Sequence, residues 1–246
     1  MIKSETKDRV ARIRFDRLDK KNAITVAMYG QLGAALAAAE KDEQVRAVLL
    51  HGSADCFTAG NDVADFLNAP RERGASPARA LFDTLPHMTK PVVAAVGGPA
   101  VGIGSTMLLH CDLVYAASNA RFQLPFVPLG ITPEFGSTLL LPLIAGYQRA
   151  AELLLLGQPF TAQKAYEIGM VTEVVAPEEL FARADKAVAM LAALPPQSIR
   201  LTKRLLKMRH ADMLKAVIEE ETQIFTERLS SAEAKEAMRA FLEKRK

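Results

Sequence analysis

The sequence has few cysteines and little net charge. Only two of its 246 residues are cysteine, which excludes a disulfide scaffold and fits a reducing compartment. The formal net charge is +3, so the composition does not imply a nucleic-acid partner. Half of the residues are hydrophobic, which excludes an intrinsically disordered chain. The length fits one large domain, or one domain with a smaller appendage.

One long run contains no charge at all. It extends from Pro91 to Leu109, long enough to raise the question of a membrane span. Two glycines and a proline stand in its middle and two more glycines follow, which excludes a continuous helix. The run is predicted to form a buried strand over Val92–Val96, a glycine-rich turn, and a helix from about Gly104 to Leu109.

The ends of the sequence lack a recognisable targeting signal. Residues 1–9 alternate in charge without an apolar segment, unlike a signal peptide. Residues 243–246 contain no peroxisomal or retention tripeptide. We therefore expect a soluble, cytoplasmic protein with no membrane partner.

Hydrophobic periodicity predicts an α/β part followed by a helical C-terminal part. The predicted strands are Val10–Phe15, Ala47–Leu50, Val92–Val96, Asp112–Ala116 and Val171–Val175. The predicted helices outside the uncharged run include Val26–Glu40, Gln197–Met208, Asp212–Leu229 and Ala232–Lys244. Strands separated by helices favour parallel pairing with helical crossovers. The prolines at 195 and 196 mark a joint, which predicts a core over residues 1–195 and a helical region over residues 196–246.

Basic residues gather late in the sequence. They are Lys203, Arg204, Lys207 and Arg209, followed by Lys244 to Lys246. This pattern favours the solvated face of terminal helices, the alternative being a site for anionic groups such as the phosphates of a ligand. Aromatic residues do not alternate with these charges, which argues against the stacking of nucleobases.

Several common catalytic motifs are absent. The sequence has neither a P-loop nor a Gly-x-Ser-x-Gly nucleophile elbow. The segment 102–107 has only the first two glycines of a dinucleotide fingerprint, and it follows the third predicted strand rather than the first. The four histidines and two cysteines lack the spacing of metal ligands, so no metal site is expected.

Two glycine-containing segments next to helix starts remain. They are Cys56–Asp62 and Gly97–Gly104. Backbone N–H groups at a helix start stabilise negative charge, and two such donors that converge on one oxygen form an oxyanion hole. From composition alone, each segment is equally well explained as a tight turn.

Four segments, in order along the chain, resemble successive blocks of the crotonase, or enoyl-CoA hydratase/isomerase, superfamily. These segments are Phe57–Asp62, Lys90–Val96, Gly98–Gly104 and Cys111–Ala116. With weaker matches before and after them, the resemblance covers nearly the whole chain. It implies an α/β fold, a crotonase-like spiral of ββα units with a C-terminal helical trimerisation region. The implied assembly is a homotrimer or a dimer of trimers.

The resemblance also implies a ligand and its contacts. Members of the superfamily bind an acyl-CoA thioester whose carbonyl oxygen lies between two backbone N–H groups, by position those of Asn61 and Ile103. Coenzyme A is part of the substrate, so no separate cofactor is implied. The matching substrate-binding positions are Ala23, Thr58, Ala59, Gly60, Asp62, Gly102 and Phe126.

Two positions distinguish the reactions within the superfamily. Hydratases use two glutamates twenty residues apart to hold and activate water. The matching positions here are Thr106 and Phe126, neither of which can accept a proton in the way this mechanism needs. Hydration by two glutamates is therefore not expected.

The segment Pro125–Gly136 is similar to the Δ3,Δ2-enoyl-CoA isomerase branch, in which the glutamate of a Pro-Glu-x-Gly element is the base. That glutamate is Glu134 here, expected in an apolar pocket formed by Phe126, Phe135 and Leu139. Without the resemblance, Glu134 is better explained as a carboxylate at the start of a helix. With it, we expect an isomerase of fatty acid β-oxidation that moves a cis or trans double bond from position 3 to trans-2. The alternatives are another activity on acyl-CoA thioesters (hydratase, dehalogenase or hydrolase) and a non-catalytic acyl-CoA-binding protein.

Overall fold

The structure, a computed structural model, describes residues 1–68 and 78–243 and contains two sheets surrounded by helices. The strands are β1 (Ile2–Lys7), β2 (Val10–Phe15), β3 (Ala47–His51), β4 (Val92–Val96), β5 (Pro99–Val101), β6 (Leu113–Ala117), β7 (Arg121–Gln123), β8 (Phe160–Thr161) and β9 (Glu173–Val175). The larger sheet has the order β1-β2-β3-β4-β6-β9, and the smaller has the order β5-β7-β8. All neighbours in the larger sheet are parallel except β1 and β2.

Helices connect the strands and form the C-terminal part. They are α1 (Val26–Lys41), α2 (Val63–Asn68), α3 (Arg79–Thr84), α4 (Ile103–Thr106), α5 (Ser137–Ala145), α6 (Tyr147–Leu156), α7 (Ala162–Glu167), α8 (Leu180–Ala193), α9 (Pro196–Met208), α10 (Ala211–Leu229) and α11 (Ala232–Glu243). Short 3₁₀ helices cover Leu18–Lys20, Leu85–His87, Met107–His110, Val127–Leu129 and Pro177–Glu179.

The larger sheet is covered on both faces, which explains why its central strands are apolar along their whole length. Neighbouring residues of β3 and β4 point to opposite sides: Leu50 and Ala94 belong to the larger core, whereas Leu49 and Val93 pack with α8. All five residues of β4 are buried. This rigid strand leads directly into the glycine-rich turn of the candidate site.

The five predicted strands are confirmed, with bounds that agree within two residues. Their predicted parallel pairing is also confirmed. Hydrophobic periodicity does not predict β1. Most of its residues are exposed at the edge of the sheet, so the strand has no apolar stripe.

The uncharged run folds as a buried strand and a turn, as predicted, but its helix differs. A short strand, β5, comes between the turn and the helix. The helix begins at Ile103 rather than Gly104, and after Thr106 it tightens into a 3₁₀ turn. Within the residues that the structure describes, no helix is long and apolar enough to cross a membrane.

The prediction of a solvated basic face is wrong at Lys203, which is buried. Its Nζ donates a hydrogen bond to the Lys90 carbonyl at 2.7 Å and forms an ion pair with Asp112 at 2.6 Å. The same Asp112 oxygen accepts the N–H of Val92 at the start of β4, so Lys203 joins α9 to the sheet. Residues 244–246, part of the same prediction, lie outside the described residues.

The predicted C-terminal helices are confirmed as α9, α10 and α11, and the bounds that fall on described residues agree within one residue. The predicted end of the last helix, Lys244, lies outside the described residues. Phe225 and Leu229 of α10, and Ala234 and Met238 of α11, belong to the larger hydrophobic core. The division at residue 195 and the assembly into trimers stay predictions.

Candidate active site

Two loops lie side by side beyond the ends of β3 and β4. Thr58 of the first loop pairs in parallel with Ala100 of the second. The N–H of Thr58 donates to the Pro99 carbonyl at 3.0 Å, and the N–H of Val101 donates to the Thr58 carbonyl at 3.1 Å. The predicted oxyanion donors, Asn61 and Ile103, each follow this pair by three residues, so the pairing brings their two loops together.

The N–H groups of Asn61 and Ile103 donate no hydrogen bond to any residue that the structure describes. Asn61 pairs with Ile24 through its neighbours, because Gly60 supplies the carbonyl and Asp62 the N–H of that bridge. Ile103 is the first residue of α4, where an N–H has no acceptor within the helix. These two donors on paired loops are candidates for an oxyanion hole, which requires both N–H groups to point at one oxygen.

Gly102 sets the direction of the Ile103 N–H. Its backbone has φ +55° and ψ −118°, a conformation that strains any residue with a side chain. An added Cβ would meet no atom within 4 Å, so the requirement for glycine is conformational. At Gly104 the requirement is one of space, because a Cβ would lie 2.5 Å from Cγ2 of Thr58.

Thr58 organises the first loop, and its predicted contact with substrate stays a prediction. It is fully buried, and its Oγ1 donates to the Asn22 carbonyl at 2.7 Å and accepts the N–H of Gly60 at 3.1 Å. The Asn22 side chain in turn donates to the carbonyls of Cys56 and Phe57. Because the polar groups of Thr58 all bond to protein, it positions the neighbouring residues.

The other predicted contact residues of the first loop lie near one another. Arg17 joins Ala23 of the earlier segment to Asp62 of the loop. Its Nη1 donates to the Ala23 carbonyl at 2.9 Å and forms an ion pair with Asp62 at 2.8 Å. The Ala59 N–H donates to the Lys21 carbonyl at 2.9 Å. The early segment around residues 17–24 is thus tied to the loop that presents Asn61.

Tyr29 was not singled out from the sequence, because it lies within the ordinary apolar pattern of α1. Its hydroxyl donates a hydrogen bond to the side-chain oxygen of Asn61. Burial raises the pKa of Tyr29, the charge of Glu134 adds to this effect, and the hydrogen bond to Asn61 opposes it. Tyr29 therefore stays protonated, holds the Asn61 side chain by a hydrogen bond, and itself lies within the electrostatic reach of Glu134.

Glu134 is a buried carboxyl group, with 5% of its surface exposed. Its Oε1 accepts a hydrogen bond from Thr106 Oγ1 at 2.7 Å. Burial raises the pKa of Glu134 to about 8; the Thr106 hydroxyl lowers it, and the charge of Glu221 raises it further. A carboxylate with such a pKa is a stronger base than an exposed one and is matched to a pH near neutrality.

Thr106, the residue at the first hydratase glutamate position, is thus the hydrogen-bond partner of Glu134. α4 carries Thr106 three residues after the Ile103 donor, so the donor and the carboxylate belong to one corner of the fold. Phe126, at the second position, is 4% exposed and lies in the same hydrophobic core as Phe135. Leu139 is half-buried.

The helix-start interpretation of Glu134 is wrong, because another carboxylate has that role. Glu221 of α10 accepts the N–H groups of Gly136 and Thr138 at the start of α5. No local sequence pattern predicts this contact, since Glu221 and Gly136 are 85 residues apart. Glu134 itself points to Thr106 instead.

Glu134→Gln is expected to stabilise the protein at alkaline pH. The folded protein holds the Glu134 proton up to about pH 8, whereas an exposed glutamate loses it near pH 4.5. The contribution of Glu134 to wild-type stability is therefore fully present below pH 4.5 and is lost as the pH rises to about 8. Each pH unit crossed costs the wild type about 1.4 kcal/mol, a loss that the neutral glutamine avoids.

Denaturant unfolding at pH 5, 7 and 9 measures this effect. We expect the free-energy difference between the variant and the wild type to grow with pH and to level off above about pH 8. Glu220→Gln, which removes an exposed carboxylate of α10, should follow the wild type. A difference that does not change with pH would contradict the raised pKa.

The sequence matches the family described as enoyl-CoA hydratase/isomerase over residues 5–246. The chain belongs to this enoyl-CoA hydratase/isomerase family. The membership inferred from the four sequence blocks is thereby confirmed. Among solved structures, Pseudomonas aeruginosa OdaA is similar with a TM-score of 0.94 and 46% identity, covering 98% of each chain. The expected crotonase-like α/β fold is confirmed as well.

Relatives in the family have names for different reactions. Enoyl-CoA delta isomerase 2 of Rattus norvegicus is 38% identical over 240 residues, which are 95% of this chain and 61% of that protein. This chain thus spans less than two thirds of that relative. Short-chain-enoyl-CoA hydratase of Clostridium acetobutylicum is 32% identical over 246 residues, which are 98% of this chain and 94% of that protein. Family membership alone therefore leaves the reaction open.

Proposed function

We propose that the protein is an enoyl-CoA isomerase that converts a 3-enoyl-CoA to its trans-2 isomer. Glu134 is the base, and the N–H groups of Asn61 and Ile103 hold the thioester oxygen. The observation that carries the proposal is the Glu134–Thr106 pair: a buried carboxyl group with a raised pKa faces a hydroxyl where hydratases have a glutamate. The isomerase name of the rat relative is consistent with it.

The reaction needs one proton carrier and one anion site. Glu134 removes a proton from the α carbon, and the electron pair moves toward the thioester to give a dienolate. The charge on the oxygen is stabilised by the two N–H donors, each contributing on the order of 10²–10³ in rate. The protonated Glu134 then returns the proton to the γ carbon, which leaves the double bond between the α and β carbons. Coenzyme A is part of the substrate, and the protein's own residues supply the proton transfer.

Hydration by the two-glutamate mechanism would need a second carboxylate to hold water. Among the described residues, Glu221 is the one carboxylate whose charge contributes to the pKa of Glu134. Both of its oxygens already accept hydrogen bonds at the start of α5. Of these two carboxylates, Glu134 alone is therefore free to act, and one carboxylate is enough to carry a proton between two carbons of the same substrate.

The proposal is tested by offering the purified protein a series of 3-enoyl-CoAs of increasing chain length. We expect ultraviolet absorbance of the conjugated 2-enoyl-CoA to rise, with the greatest kcat/KM at the preferred chain length. Binding of acyl-CoA without turnover of any 3-enoyl-CoA would overturn the proposal and support a non-catalytic binding protein.

A further inference from the structure

Glu221 is a buried carboxylate, 7% exposed, that makes three hydrogen bonds to the segment after Glu134. Its Oε2 accepts the Gly136 N–H at 2.5 Å. Its Oε1 accepts the Thr138 N–H at 2.9 Å and the Thr138 hydroxyl at 2.5 Å. Gly136 precedes α5 and offers no side chain to cap it. The residue that binds the start of this helix therefore comes from α10.

The backbone between Glu134 and α5 needs outside support. Phe135 has φ +61° and Gly136 has φ +72°, and the left-handed conformation costs a residue such as Phe135 about 1–2 kcal/mol. His110 donates its Nε2 hydrogen to the Phe135 carbonyl at 2.8 Å. Burial lowers the pKa of His110 to about 3, so this donor is a neutral imidazole. The next N–H along the chain, that of Gly136, binds Glu221.

We propose that Glu221 is a positioning residue for Glu134, which holds the carboxyl group of the base against Thr106 by fixing the turn at Phe135 and Gly136. The identity of Glu134 as a base rests on the proposed function, whereas its placement by Glu221 does not. The proposal makes the geometry of the site depend on α10, a helix of the C-terminal region.

The same contact has an electrostatic consequence. The charge of Glu221 raises the pKa of Glu134, and the Tyr29 hydroxyl and the Thr106 hydroxyl are the other groups that interact with Glu134. Burial raises the pKa of Glu221 itself, the hydrogen bonds from Thr138 and Gly136 lower it, and the charge of Glu220 on the same helix raises it further. A residue that only caps α5 would contribute about 0.5–2 kcal/mol to stability. Its charge would still raise the pKa of Glu134, so a fall in kcat is the result that distinguishes positioning from capping.

The test compares Glu221→Gln with Glu220→Gln, which removes a neighbouring exposed charge from the same helix. The pKa of Glu134 is measured by NMR with ¹³C-labelled glutamate carboxyl groups, and its signal is assigned by its loss in Glu134→Gln. We expect Glu221→Gln to lower this pKa and Glu220→Gln to leave it unchanged. We also expect kcat to fall about tenfold in Glu221→Gln with little change in KM, because displacement of a base affects the chemical step.

The outcomes separate this inference from the proposed function. An unchanged kcat in Glu221→Gln would overturn the positioning role while the isomerase stands, even if the pKa of Glu134 falls with the loss of the Glu221 charge. In a protein without isomerase activity, the proposed function is refuted, and a Glu134 pKa that changes in Thr138→Val, which keeps the Glu221 charge, would still support the positioning role. If Glu221→Gln does not fold, Thr138→Val removes one of the three hydrogen bonds and keeps the charge. We then expect kcat to fall about threefold, and a wild-type kcat in Thr138→Val would overturn the inference.

Discussion

The Glu134→Gln variant is expected to lose isomerase turnover by several hundredfold or more. A positioned general base contributes about 10²–10⁴ in rate, and glutamine has the shape of glutamate without its basicity. Thr106 can still donate its hydrogen bond to the amide oxygen, so the buried site keeps a partner for that hydroxyl. The measurement is the initial rate of conjugation of a 3-enoyl-CoA, at saturating substrate, across pH 6 to 9.

Binding provides the control for this variant. A saturated acyl-CoA, which has no double bond to move, should bind Glu134→Gln and the wild type with similar affinity. The proposed donors to its thioester oxygen are backbone groups of Asn61 and Ile103, which the substitution leaves in place. Near wild-type turnover in Glu134→Gln would refute Glu134 as the base.

Gly102→Ala is expected to lower kcat on the order of 10²-fold, the effect of losing one oxyanion donor. The Cβ of alanine meets no neighbouring atom, so the change acts through the backbone. A conformation with φ +55° costs alanine about 1–3 kcal/mol, and relief of this strain rotates the peptide that carries the Ile103 N–H.

Gly146→Ala is the matched control for Gly102→Ala. Gly146 also has a positive φ, +79°, and open space around its Cβ, and it precedes α6 as Gly102 precedes α4. Both variants should therefore lose similar stability in thermal unfolding, whereas Gly102→Ala alone should lose turnover. Equal kcat values in the two variants would contradict the assignment of Ile103 as a donor.

The sequence predicted those parts of the fold that local patterns determine. The continuous apolar run Val92–Val96 and the glycines after it determine a buried strand and a turn within one short segment. The amphipathic spacing of α1, α9 and α10 is equally local, and their observed bounds agree closely with the predicted ones. The positions of Asn61, Ile103 and Glu134 came from the resemblance to the superfamily, since their composition is also that of ordinary turns.

Long-range contacts of single polar side chains could not be predicted in this way. The hydrogen bond between Thr106 and Glu134 joins residues 28 positions apart, and Glu221 reaches Gly136 across 85. The sequence predicts a solvated Lys203, because the periodicity of a basic helix does not reveal an ion-pair partner such as Asp112. Each contact depends on how α4, α5, α9 and α10 pack together, which no single stretch of sequence encodes.

The central claim is that Glu134, with the N–H donors of Asn61 and Ile103, shifts the double bond of an enoyl-CoA and does not hydrate it. The most direct test measures both reactions on the same preparation: conjugation of a 3-enoyl-CoA and hydration of crotonyl-CoA, each as kcat/KM at the same pH. We expect isomerisation to exceed hydration by at least about a hundredfold, the lower end of what a positioned base contributes. Efficient hydration of crotonyl-CoA with little isomerisation would contradict the claim.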